Sequence, residues 1–100
     1  LPLQLEAQQN AIIKGKITDN KQNKIAGAHI QIEPISQYTI SDTNGNYSIK
    51  VPSNSTFTLK ISHISYQNIE MNFQLLNEEI KLFNPILIVK QEQLKKFTVH

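Results

Sequence analysis

Twelve residues, Ser41-Asp42-Thr43-Asn44-Gly45-Asn46-Tyr47-Ser48-Ile49-Lys50-Val51-Pro52, decide the fold. Asn44-Gly45 is a tight-turn dipeptide, because glycine enters positive φ without steric cost. Asp42 stands where a carboxylate can accept backbone N–H bonds at that turn. Beyond it, Tyr47, Ile49 and Val51 alternate with Ser48 and Lys50. A period of two belongs to a strand with one face buried. Pro52 has no N–H for a ladder and ends the strand.

The same grammar runs outward in both directions. Upstream, Ile13, Gly15 and Ile17 alternate with Lys14, Lys16 and Thr18, followed by an all-polar loop from Asp19 to Lys24. Ala28, Ile30 and Ile32 alternate with His29, Gln31 and Glu33 up to Pro34, and a short piece follows around Tyr38 and Ile40. Gly15, Gly27 and Ala28 are small enough for close approach or bulging, and Gly27 enters a strand where a side chain would clash. Downstream come Phe57, Leu59 and Ile61, then Ile69, Met71, Phe73 and Leu75, then Ile80 and Leu82. Pro85 interrupts the pattern before the apolar run 86–89. About seven strands at a spacing of roughly 8–12 residues predict two antiparallel sheets packed face to face. No segment sustains helical periodicity; 81–95 has Pro85 inside it.

Composition agrees. Of 100 residues, 15 are Ile, one is Met and none is Trp, and β-branched side chains suit a pleated surface. One domain with a thin core is the expectation at this length. There is no cysteine, hence no disulfide, thiolate metal site or cysteine nucleophile. All ten basic residues are Lys and the net charge is +2, which argues against nucleic-acid binding. No stretch approaches the ~20 apolar residues of a membrane span. Residues 1–10 read as a flexible leader or the remnant of a signal peptide.

Candidate chemistry is sparse. Asp42, Asn44 and Asn46 have the oxygen-rich look of a calcium loop, but only one carboxylate is present, so a plain turn is the reading. His29 and His63 fall on outward strand faces without ligand spacing, and His100 is terminal. Ser62 and His63 are neighbours on a strand and point to opposite faces, so they do not form a nucleophile–base pair. Glu78-Glu79 reads as a solvated pair beside a turn. No catalytic residue, metal ligand or cofactor is expected. The Lys residues on strand faces guard sheet edges.

The ordered motifs resemble one family. Ile13-Lys14-Gly15-Lys16-Ile17-Thr18-Asp19, Ile25-Ala26-Gly27-Ala28-His29-Ile30 and Asp42 to Ile49 are similar to successive blocks of carboxypeptidase regulatory-like domains. Val51-Pro52, Phe57 to Ser62 and Ile64-Ser65-Tyr66 continue the series, with Ser65 replacing a customary glycine. The match runs over residues 11–83. Leu94 to Val99 resembles the segment that follows such domains in TonB-dependent outer-membrane receptors of the SusC type, with Lys95-Lys96 replacing an acidic pair. The resemblance implies a transthyretin-like, Greek-key β-sandwich, with Gly15, Asp19, Gly27, Asp42, Asn44, Gly45, Tyr47 and Tyr66 in structural roles. Tyr47 and Tyr66 would tie loops down through their hydroxyls. Residues 84–100 would be a linker or an extra strand leading to a further domain.

The functional expectation is a non-catalytic accessory module of an exported protein, in the periplasm, outer membrane or at the cell surface. It would dock to a protein partner or an adjacent domain and meet the membrane only through its host. Two alternatives stand beside it: a carbohydrate-binding or adhesive stalk module, and the accessory domain of a peptidase.

Overall fold

The computed structural model describes residues 10–90. Residues 1–9 of the expected leader, the tail motif Leu94 to Val99 and His100 lie outside the described residues, while Asn10, expected in the leader, opens β1 opposite Pro52. Nine strands follow in order: β1 Asn10–Lys16, β2 Thr18–Asp19, β3 His29–Glu33, β4 Gln37–Ile40, β5 Asn46–Pro52, β6 Thr56–His63, β7 Tyr66–Gln74, β8 Ile80–Leu82 and β9 Ile86–Leu87.

They make a β-sandwich. One layer has the order β5-β1-β8, and β2-β9 continues it; the other has the order β4-β3-β6-β7. Counting β1 with β2 and β8 with β9 as two interrupted strands leaves the seven expected. The expected antiparallel order holds except along one seam. There β1 runs parallel to β8 (Ile12 beside Ile80, Lys14 beside Leu82) and β2 runs parallel to β9 (Thr18 beside Ile86). Local patterning could not show this, because the partners lie more than sixty residues apart.

Alternation places the core. Ala11 and Ile13 of β1 and Tyr47, Ile49 and Val51 of β5 face Ile30 and Ile32 of β3 and Phe57, Leu59 and Ile61 of β6, all buried. Each fully buried Ile stabilises by about 1.5–3 kcal/mol relative to exposure. Phe73 leans on Phe57 and meets Phe83 edge-on, with ring centroids 6.0 and 5.4 Å apart. Phe83 thus takes the core side of the last strip, while Ile80 and Leu82 are exposed.

The crossing from β4 to β5 turns on Ser41, which is buried. Its hydroxyl accepts from the Ala28 N–H at 2.9 Å and donates to the Ile25 carbonyl at 2.8 Å. Its backbone N–H and C=O pair with Ala28 and Gly27. One small side chain therefore satisfies the backbone where the chain changes sheets.

Candidate interaction surface

Apart from Gly27, the residues singled out by sequence fall into two turns and one clamp. Asp19 and Asp42 build the same loop twice. Asp19 Oδ1 accepts from the N–H groups of Lys21 (2.8 Å) and Asn23 (2.9 Å); Asp42 Oδ1 accepts from those of Asn44 and Asn46, both at 2.9 Å. In each loop the fourth residue has positive φ: Gln22 at 70° and Gly45 at 80°. Hydrogen bonds from Asn23, and the nearby Lys21 charge, hold the Asp19 carboxyl below its ordinary pKa. The loops differ in what surrounds them. A Cβ on Gly45 would lie 2.6 Å from the Ile17 carbonyl oxygen, so glycine is required there twice over. Gly27 is a correction to the expected clash: nothing lies within 4 Å of its would-be Cβ, and its φ of +76° is the requirement.

The clamp holds the last strip, residues 80–90, to the sandwich. A Cβ on Gly15 would sit 2.0 Å from the Phe83 carbonyl oxygen, so this strip passes directly over β1 only because residue 15 is glycine. That same oxygen accepts the Tyr47 hydroxyl at 2.6 Å. Burial pushes the Tyr47 phenol well above its ordinary pKa. Lys16 N–H donates to Asn84 Oδ1 at 2.8 Å, and Phe83 N–H to the Lys14 carbonyl at 2.9 Å. Pro85 is buried, and its carbonyl accepts from Thr18 N–H at 3.3 Å. The strip then crosses to the other sheet. Gln67 N–H donates to the Ile88 carbonyl at 2.7 Å, Lys90 N–H donates to that of Ser65 at 3.1 Å, and Val89 bridges Tyr66. Tyr66 is half-buried and meets His63 edge-on at 5.1 Å. Residues 86–90 thus stitch the edge of one layer to the edge of the other.

What this strip shows to solvent is mostly apolar, with Lys81 and Asn84 as the exposed polar residues. Among the described residues eleven large hydrophobic side chains are exposed, and eight of them fall in two short segments. Ile80, Leu82, Ile86, Ile88 and Val89 lie on the clamped strip; Ile35, Tyr38 and Ile40 lie on and before β4. Exposed apolar residues scattered singly carry no message, but clustered ones on a fixed backbone mark a contact surface. The sequence presented Ile80 and Leu82 as another alternating pair, and only the parallel register puts them outside. Lys81 sits mid-edge beside them, and a charge there discourages indiscriminate strand addition. Among the described residues no group of three His, Cys, Asp or Glu gathers as a metal site.

Comparison with solved structures shows the fold. A chain of a type II cohesin–X-dockerin complex from Acetivibrio cellulolyticus is 22% identical over 76% of this chain, with a TM-score of 0.60. Catechol 1,2-dioxygenase from Acinetobacter radioresistens is 14% identical over 90%, at 0.63, and the TIE protein of Bacillus anthracis 16% over 80%, also at 0.63. The matches cover 55%, 55% and 17% of those chains, so this chain spans about half or less of their length. A search of curated proteins found no match. The family model described as CarboxypepD_reg-like domain matches residues 13–99, from β1 through the clamped strip, and the chain therefore belongs to that family of non-catalytic β-sandwich domains.

Proposed function

We propose that this domain is the accessory module of a longer exported protein, of the TonB-dependent receptor type in the outer membrane, and that it docks to a neighbouring domain or protein partner through residues 80–89. One observation carries the reading. Five exposed apolar side chains lie on a strip whose backbone is held to both sheets, by Gly15 and Tyr47 on one side and by Ser65 and Gln67 on the other. A rigid apolar strip loses little conformational entropy on binding, which favours its use as a docking surface. Its anchorage also gives the strip a fixed direction relative to the sandwich, as a module that positions its neighbour requires. The resemblance of Leu94 to Val99 to the segment preceding receptor plugs supports the host type and the location.

The test is a doubly substituted chain, Leu82→Asp with Ile86→Asp, assayed for binding to the remainder of its host protein. Both side chains are exposed, so the fold should survive. Loss of binding by roughly tenfold or more is expected, since charges would be buried in an apolar contact. Undiminished binding by a folded double variant would remove the strip from the docking role.

A further inference from the structure

The second apolar cluster lies on the other layer and has different chemistry. On the outer face of the four-stranded sheet, Tyr38 pairs with Gln31 and Ile40 with His29 across β4 and β3. Tyr38 is 63% exposed. The His29 imidazole lies parallel to it, with 8° between planes and 6.0 Å between centroids. A shallow cavity of about 410 Å³ opens over His29, Gln31, Ser36, Tyr38 and Ile40. Its size is that of a small-ligand site.

The polar groups here point to the kind of ligand. The Gln31 amide and the Ser36 and Tyr38 hydroxyls make no hydrogen bond to the described residues. They provide donors and acceptors without charge. The next position across the sheet from Gln31 is Lys60, opposite Glu70. Lys60 is taken up by Glu33 at 3.3 Å and Glu70 at 3.7 Å, so this neighbourhood carries one surplus negative charge. An anion is therefore disfavoured. A purely apolar partner would leave the Gln31 amide unpaired. A neutral sugar ring fits both demands. Its C–H face, weakly positive, stacks on the electron-rich face of an aromatic ring, and its hydroxyls match uncharged amide and hydroxyl partners.

We propose that this face binds a neutral oligosaccharide, with Tyr38 as the stacking platform, His29 holding that ring in place, and Gln31 and Ser36 meeting the sugar hydroxyls. The site shares no residue with the clamped strip, so it stands or falls apart from the docking role.

The experiment is an NMR titration of the chain with maltohexaose, cellohexaose and xylohexaose, and with an oligogalacturonate as the anionic probe. At least one neutral oligosaccharide should produce saturable shifts at the amides of Gln31, Ser36, Tyr38 and Ile40, in the millimolar range or tighter. Tyr38→Ala should weaken binding by roughly tenfold or more, whereas Tyr38→Phe keeps the platform and stays within a few-fold. Gln31→Ala should weaken it several-fold, and it decides the matter should Tyr38→Ala not fold. Absence of saturable shifts with every neutral oligosaccharide overturns the proposal. So does binding that survives both alanine substitutions, or oligogalacturonate binding as tightly as the neutral sugars.

Discussion

At the residue scale, the paired aspartate loops provide an internal control. Gln22 and Gly45 occupy the same loop position with nearly the same φ, but only Gly45 is hemmed in by backbone. Gln22→Gly should therefore stabilise the domain by about 0.5–1 kcal/mol in urea unfolding, because a left-handed side chain costs about 1–2 kcal/mol and glycine's extra backbone entropy returns only part of it. Gly45→Ala should destabilise by more than about 2 kcal/mol, through strain added to a clash. The carboxylate of Asp19 gives a pH dependence of definite sign. Its folded pKa is lowered, so its contribution is present above the ordinary value of 3.8 and fades as pH falls through the folded pKa. Tyr47 works in the opposite sense. Its folded pKa is raised, so its contribution is complete below the ordinary value of 10.0 and is lost as pH climbs towards the folded one. Tyr47→Phe should cost about 1 kcal/mol at neutral pH and flatten the fall in stability above pH 10, as followed by circular dichroism.

At the element scale, two connections deserve separate tests because sequence patterning reached one and not the other. The clamp was partly legible: Gly15 and Tyr47 stood out within motifs, although their shared target, the Phe83 carbonyl, did not. Gly15→Ala should lift the strip, since a methyl cannot occupy a carbonyl's place. Hydrogen exchange at the Phe83 N–H, bonded to the Lys14 carbonyl, should then speed up well before that of β3 and β6. The Ser41 crossover left no trace in periodicity, because a serine before a turn has many possible partners. Ser41→Ala strands a buried N–H and a buried carbonyl and should cost about 2–3 kcal/mol. Strands with long alternation, such as β5 and β6, were legible because each buried face carries three or more apolar residues. The two-residue β2 and β9 were not, because so short a strand has no period and is defined only by its distant partner.

At the scale of the whole molecule, the sandwich is held by one core, and among the described residues most of its exposed large apolar side chains fall in two segments. These roles separate under mutation. Phe57→Ala should cost about 3–5 kcal/mol, as expected for a fully buried aromatic, whereas Leu82→Ser should change stability by no more than about 0.5 kcal/mol. Exposed isoleucines and a leucine on the clamped strip would then serve the proposed docking and not folding. The most direct measurement is hydrogen exchange of residues 80–90 in this chain alone and in the longer host protein proposed above. Docking through the strip predicts that these amides slow markedly in the longer protein while β4 stays unchanged. Equal exchange in both would contradict it.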